Sequence, residues 1–353
     1  MKWSIHNFPP SLQIETRKVL KALPPAHRAL AELKGVAKTI PNQAILLNTL
    51  PLQEAKHSSA IENIITTSDE IFKASIQTGK IKSLEAKEVQ NYAHALTKGF
   101  DLIKKKIFTA NDIVSIQREL VMNEAGLRKQ PGTQLKNSET GEIIYTPPQD
   151  QQEIIKLMTQ LEKFINDARI SDLDPLVKMG LIHFQFESIH PFYDGNGRTG
   201  RIINILYLVL MDLLDLPILY LSRYIIRHKA KYYQLLQATR DTNMWEEWIL
   251  FMIQAVEETS KETIRLIFEI NDLMVNYKHT IRENYKFYSQ DLLNNLFKHP
   301  YTKIDFLMSD LGVSRITAAN YLNQLSDDGF LEKKKMGTGN YYINTRLFDL
   351  ISN

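Results

Sequence analysis

Apolar positions recur every three to four residues along most of the chain, the spacing of amphipathic helices. The pattern predicts helical stretches around Ile14 to Leu20 and Ala26 to Ala37, and a short helix from Pro51. It also predicts a helix pair over 68–107, with Ala86 to Leu102 the clearer member, and a helix from Ala110 to Asn123 opened by the capping pair Asn111-Asp112. Prolines at 9, 10, 24, 25 and 41 divide the first 48 residues, so that segment reads as an arm wrapped on the body. Glu153 to Ala168 gathers Ile154, Ile155, Leu157, Met158, Leu161, Phe164 and Ile165 on one buried side. The helix started by Asp174 and Pro175 has almost no polar face, and Ile202 to Leu214 is equally apolar. Helices apolar all round are central ones. A long helix is expected from Trp245 to Glu269, with a boundary near Tyr277 to Ser289.

Two regions break the helical rhythm. Between Gly126 and Pro148, glycines and prolines punctuate two short segments, Thr133 to Lys136 and Glu142 to Tyr145, around the polar tip Asn137-Ser138-Glu139-Thr140-Gly141. This predicts a β-hairpin, and an isolated hairpin is marginal in water, so it serves either as a flap over a site or as a plain surface loop. Near the C-terminus, short helices over Leu292 to Phe297, Ile304 to Leu311 and Ser314 to Leu325 precede strands over Phe330 to Lys335 and Asn340 to Ile343, around Gly337 and Thr338. That order is the order of a winged helix-turn-helix.

Length and composition narrow the class. A chain of 353 residues exceeds one comfortable core, so two or three domains are expected. A net charge of +3 gives no global argument for nucleic acid or membrane. With no cysteine, disulfides, thiol nucleophiles and thiolate metal sites are excluded. The longest apolar run, near Ile202 to Leu221, is broken by Asn204, Asp212, Asp215 and Pro217, and the reading is a cytoplasmic protein without a membrane partner. Over 283–353, eight Lys/Arg balance eight Asp/Glu, so DNA is not favoured over a protein-contact or homodimer-supporting role, although Lys333, Lys334 and Lys335 keep it open.

The chemistry concentrates between the two apolar helices, in His190-Pro191-Phe192-Tyr193-Asp194-Gly195-Asn196-Gly197-Arg198-Thr199-Gly200-Arg201. Gly195, Asn196 and Gly197 ahead of a helix form an anion cradle, where backbone N–H groups and the helix dipole favour phosphate. Arg198 and Arg201 fall on its first turn and can fork onto phosphate oxygens. Asp194 is either a hard ligand for Mg²⁺ held jointly with phosphates or the N-cap of the helix. His190 precedes a proline and is expected to leave its helix in an extended conformation. Beside a phosphate cradle it serves as a base, and otherwise as a satisfied core histidine. Glu62, on composition alone, reads as an exposed carboxylate.

These residues match in full the signature HxFx(D/E)GNGRxxR, and the segment resembles the Fic family, as does the preceding Phe186-Glu187-Ser188-Ile189. The resemblance implies a mainly α fold: a Fic-type helical bundle with a β-hairpin flap, here followed by a small winged helix-turn-helix domain. It implies transfer of AMP from ATP to a Tyr, Thr or Ser hydroxyl of a target protein, or of the chain itself, with pyrophosphate leaving. His190 would be the base and Asp194 the Mg²⁺ ligand. Gly195, Asn196, Gly197 and Arg198, with Thr199 and Gly200, would hold phosphates, and Arg201 the terminal one. Leu135 and Lys136 of the flap would face the nucleotide. Tyr232 and Tyr233 resemble the segment near the adenine, or else are aromatic core. Where some relatives carry an asparagine seven residues after one of these tyrosines, this chain has Thr239-Arg240, which puts that contact in question.

A second motif adds regulation. Ser58-Ser59-Ala60-Ile61-Glu62-Asn63 fits (S/T)xxxE(G/N), which self-restrained Fic proteins carry on an N-terminal helix. The resemblance implies that Ser58 and Glu62 are inhibitory, with Glu62 pairing Arg201. The expected division is 1–107 for the helical region bearing this motif, 108–276 for the Fic core and 284–353 for the winged-helix-like domain. The alternatives are transfer of another nucleotide monophosphate or phosphate-linked group, or a nucleotide-sensing transcriptional regulator. A sensor, however, has no use for a base at His190. No GxxxxGK(S/T) occurs, which argues against a P-loop NTPase.

Overall fold

A computed structural model describes residues 3–76, 83–136, 140–336 and 339–352. The hairpin residues Asn137, Ser138 and Glu139 and the wing residues Gly337 and Thr338 lie outside the described residues.

Helix α1 (Arg17–Ala37) is capped by the Thr16 side chain and runs through Pro24 and Pro25, correcting the expectation of two separate stretches. Interior proline costs a helix ~3 kcal/mol, but α1 is held from outside. Val19, Leu23, Ala26, Leu30 and Leu33 are buried along its packing with α11 (Trp245–Asn284). Helix α2 (Ala44–Ile61) likewise contains Pro51 instead of starting there; Ile45, Leu46, Leu50, Leu52, Ala55 and Ile61 are all in the core. In both helices tertiary burial overrides local propensity.

Helices α3 (Ser68–Ile76) and α4 (Leu84–Leu102) form the expected pair. Helix α5 (Ala110–Val121) is capped by Thr109, two residues before the expected Asn111-Asp112 pair. The Thr109 hydroxyl accepts from the Asp112 N–H, and the Asp112 carboxylate accepts from the Thr109 N–H, a capping box. Strands β1 (Leu135–Lys136) and β2 (Ile143–Tyr145) make an antiparallel hairpin shorter than expected, with Leu135 opposite Tyr145 and Lys136 opposite Ile143. Helix α6 (Gln151–Asn166) buries its expected side except Ile155, which faces solvent.

Helix α7 (Pro175–Ile189), capped by Asp174 with Pro175 in its first turn, is buried along nearly its whole length. It packs on α8 (Asn196–Leu210), and the six-residue turn between them carries the candidate chemistry. Helices α9 (Leu221–Arg227) and α10 (Lys229–Thr242) close the bundle, α9 against α2. The long α11 continues past Glu269 to Asn284.

Beyond it come α12 (Gln290–Lys298), β3 (Tyr301–Thr302), α13 (Ile304–Leu311), α14 (Arg315–Asp327), β4 (Glu332–Met336), β5 (Gly339–Ile343) and α15 (Thr345–Ser352). Strand β3, which the sequence pattern did not suggest, adds to β5, giving an antiparallel sheet ordered β3-β5-β4. Helix α15 was equally unsuspected, and with α12 it packs on α2. The Tyr277 hydroxyl on α11 lies 3.0 Å from the Phe330 carbonyl and 3.1 Å from Asn344 Oδ1, its single hydrogen shared between these two acceptors, and joins the long helix to this unit. The fold is mainly helical, with two small antiparallel sheets among the described residues. No helix of the described residues is long and apolar enough to cross a membrane.

Leu33 is fully buried in the α1 packing. Leu33→Ala is expected to cost about 2–5 kcal/mol, read as a drop in the urea midpoint with unchanged m-value.

Candidate active site

The site begins where α7 stops. His190 is not extended, as its pre-proline position suggested, but left-handed, with φ 47° and ψ 58°. It is the C-cap of α7, its N–H donating to the Phe186 carbonyl at 2.9 Å. A left-handed conformation is costly for a residue with a side chain, and a single arginine holds it. Arg128, itself 1% exposed, donates from Nε to the His190 carbonyl and from Nη2 to the Pro148 carbonyl, both at 2.8 Å. Its backbone N–H donates to the Pro191 carbonyl, and Leu127 bridges Phe192. Nothing in the sequence pattern had marked Arg128.

The turn then closes on itself. Asn196 Oδ1 accepts from the Phe192 N–H at 2.9 Å and its Nδ2 donates to the Phe192 carbonyl at 2.8 Å, so this side chain shapes the turn. Gly195, at φ +79°, is the N-cap of α8, and a Cβ there would press on Val121 and Leu120. The capping alternative for Asp194 is thereby set aside, since Gly195 occupies that position. Asp194 Oδ1 accepts from the Gly195 N–H, and the carboxylate stays largely exposed beside the cradle.

One exposed carboxylate is the donor set that Mg²⁺ uses when phosphates and water complete its shell. No cluster of three or more His, Asp or Glu suited to a metal occurs among the described residues. The residues present fit an ion held jointly with a nucleotide and not a protein-only metal cage.

The two arginines are both buried, and neither is unpaired. Arg198 donates from Nη1 to Glu88 of α4 at 2.7 Å, a partner that the sequence did not reveal. Arg201, 1% exposed, donates from Nε to Ser58 Oγ at 2.8 Å and from Nη2 to the Ser58 carbonyl at 3.0 Å and to Glu62 Oε1 at 2.8 Å. Burial pushes the Glu62 carboxyl up, but the charges of Arg201, Arg198 and Lys229 outweigh it and hold the pKa below its ordinary value. The Glu62 carboxylate lies directly over Gly197, in the space that a Cβ would fill. Thr199 is fully buried with Oγ1 unpartnered.

A cavity of about 410 Å³ opens at this point, walled by Glu62, Glu88, His190, Asp194, Gly197 and Arg198 among others. The hairpin is tied to the same place: the Tyr145 hydroxyl donates to the Ser188 carbonyl at 3.0 Å, and the Arg240 guanidinium lies 4.3 Å from the Tyr145 ring centroid. Leu135 is half-buried and Lys136 exposed on β1. The two tyrosines of α10 part company. Tyr232 is core, with its hydroxyl 2.7 Å from His183 Nε2, whereas Tyr233 is 44% exposed.

With this geometry in place, the chain can be compared with known proteins. Residues 107–208 match the model of the Fic/DOC family, residues 20–101 that of the Fic/DOC family N-terminal region, and residues 273–347 that of the protein adenylyltransferase SoFic-like C-terminal domain. The chain belongs to the Fic family.

Among curated relatives, this Fic chain is 25% identical to the protein adenylyltransferase Fic of Drosophila erecta over 158 residues, 45% of this chain and 30% of the relative. It is 28% identical to that of Drosophila yakuba over 102 residues, 29% of this chain and 20% of the relative. It thus spans less than a third of the length of these relatives. Among solved structures, a Fic family protein from Desulfovibrio desulfuricans shares the fold with a TM-score of 0.61 at 21% identity, covering 95% of this chain and 98% of that one. A Fic domain containing signaling protein from Bacteroides thetaiotaomicron gives 0.55 at 18% identity, over 69% of this chain and 97% of its own.

The pKa of His190 is lowered to about 4, first by burial and then by the Arg128 and Arg240 charges. The unfolded chain therefore binds a proton here more readily than the folded one, and this contribution to stability is lost as pH falls from about 6.5 towards about 4. His190→Gln is expected to reduce, but not abolish, the loss of stability across that window in urea titrations at stepped pH, because His57, His183 and His299 are also held low by burial. An unchanged slope would refute it.

Proposed function

We propose that this Fic chain is a protein adenylyltransferase that moves AMP from ATP to a hydroxyl of a target protein or of itself, and that it rests in a restrained state. The observation carrying this reading is the complete signature folded around one cleft, with His190 beside the cradle and Glu62 on Arg201. The depressed pKa leaves His190 neutral near neutral pH, so its imidazole can accept a proton.

In the transfer step His190 takes the proton of the target hydroxyl as that oxygen bonds to the α-phosphorus. The bond from the α-phosphorus to the pyrophosphate breaks, and its electron pair leaves with pyrophosphate. The N–H groups of the first turn of α8 and the Arg198 guanidinium orient the phosphates. Asp194 would hold Mg²⁺, whose contribution is to offset phosphate charge. The hairpin presents an edge on which an extended target segment can align by strand addition.

Arg201 is the control point. While Glu62 answers its charge, the terminal phosphate finds no free guanidinium there, and ATP settles in a pose poorly aligned for in-line attack. The parts assigned to this scheme are 1–107 for the restraining region, 108–276 for the catalytic core and 284–353 for an accessory unit of winged-helix type.

Glu62→Gly is expected to raise adenylylation roughly tenfold or more, the factor given by about 1.4 kcal/mol of barrier. Intact-mass analysis after incubation with Mg²⁺ and each nucleoside triphosphate reads the transferred group directly, and equal activity with and without Glu62 would sink the restraint. His190→Ala is expected to abolish transfer while calorimetric nucleotide binding persists.

A further inference from the structure

The hairpin is too short to hold itself in place. Strand β1 has two residues and β2 three, and an isolated pair of that size is marginal in water. Side chains at its base supply the rest. Gln149 laces the two legs together, its Oε1 accepting from the Gly132 N–H at 2.6 Å and its Nε2 donating to the Thr133 carbonyl at 3.0 Å and the Pro147 carbonyl at 2.6 Å. The leg leaving β2 is tied to the body by the Tyr145 hydroxyl and, at Pro148, by Arg128.

The leg entering β1 is tied by a different residue. The Tyr193 hydroxyl accepts from the Lys129 N–H at 2.9 Å and from the Gln130 N–H at 3.1 Å. Among the described residues, no other hydrogen bond joins 129–134 to the turn between α7 and α8. Tyr193 belongs to that turn and walls the cavity together with His190, Asp194 and Gly197. It stands at a position that HxFx(D/E)GNGRxxR leaves unspecified, between the buried Phe192 and Asp194. Half-exposed, its ring gains only part of the burial that fixes a core aromatic, so the hydroxyl has to complete its anchorage. Both lone pairs of that oxygen are taken by successive backbone donors. The ring is therefore a strut of fixed length between the cradle turn and the entry leg of the hairpin.

We infer that Tyr193 is a positioning residue for the target side of the transfer: it sets the distance between the hairpin edge and the phosphate cradle, and with it how far an incoming hydroxyl stands from the α-phosphorus. The inference rests on the transfer, and on the part of the hairpin in it, proposed above. Nucleotide binding is separate from this role, because Asn196, Gly195 and Arg128 shape the cradle without the phenol. A misplacement of about 1 Å is enough to slow a transfer severely, so the mark of Tyr193 is a loss of turnover without a loss of nucleotide.

Tyr193→Phe keeps the ring and removes only the acceptor. It is compared with its parent in the full chain carrying Glu62→Gly, with ATP and Mg²⁺ as the probes. Hydrogen exchange read from overlapping peptides is expected to quicken severalfold at the Lys129 and Gln130 amides, roughly the factor for one net hydrogen bond. It is expected to quicken also across 135–136 and 143–145, where the strands lose their support. ATP affinity by calorimetry and the melting temperature are expected to hold. Self-transfer followed by intact mass is expected to slow roughly tenfold or more at saturating ATP, with the half-saturating ATP concentration unchanged.

Exchange that quickens at 129–130 alone, or nowhere, overturns the inference, because the hydroxyl then sets nothing beyond its own contacts. Unchanged self-transfer beside loosened strands overturns it as well, and so does a fall in ATP affinity, which would make Tyr193 a nucleotide residue. Where the parent adds nothing to itself, the exchange pattern decides. A Glu62→Gly parent that binds no ATP overturns the transferase reading instead, and this inference with it.

Discussion

A guanidinium that is 1% exposed must find acceptors wherever the chain folds, and Arg201 finds all of its described ones on a single helix. Ser58 in the last turn of α2 and Glu62 at its C-cap lie one turn apart, so both reach it only if α2 sits in one register. Four residues earlier, on the same face, Glu54 also fixes that register, accepting from the Ser222 N–H at 3.0 Å and the Tyr92 hydroxyl at 3.1 Å. Burial pushes the Glu54 carboxyl up to about 7, against the pull of Ser222, Arg201 and Tyr92. The position of α2 and the electroneutrality of the core are thus one requirement.

The turn between α7 and α8 meets the opposite demand, since it has to keep groups unsatisfied. The Asn196 amide closes it, Gly195 takes a left-handed backbone, and Arg128 ties down carbonyls on both sides of His190. With the turn braced in this way, the first N–H groups of α8 stay available to a phosphate and the imidazole stays neutral. The strain of a left-handed histidine is local, and the bonds that repay it come from residues far off in sequence.

Much of this was legible in the sequence because it is periodic or contiguous. Helices α6, α7 and α8 follow from spacing, and the cradle from twelve adjacent residues. What stayed hidden is long-range. Pro24, Pro25 and Pro51 looked like helix breaks because packing against α11 and the core is invisible to local propensity. His190 looked extended because its left-handed cap depends on Arg128, 62 positions away. Glu88 as the Arg198 partner and the burial of Tyr232 on His183 are properties of assembled helices, and no short pattern announces them. Strand β3, at two residues, is too short to leave a period.

The 40 residues of α11 make one uninterrupted rod of about 60 Å. Trp248 is buried in the helical bundle at one end, and Tyr277 and Ile281 are buried against the C-terminal unit at the other. That unit also reaches back: α12 and α15 pack on α2, and the Tyr301 hydroxyl donates to Asp69 of α3 at 2.6 Å. The C-terminal unit is therefore held at two points, by α11 and by α2. Anything that displaces this unit bears on the helix whose C-cap is Glu62, because α12 and α15 rest on α2.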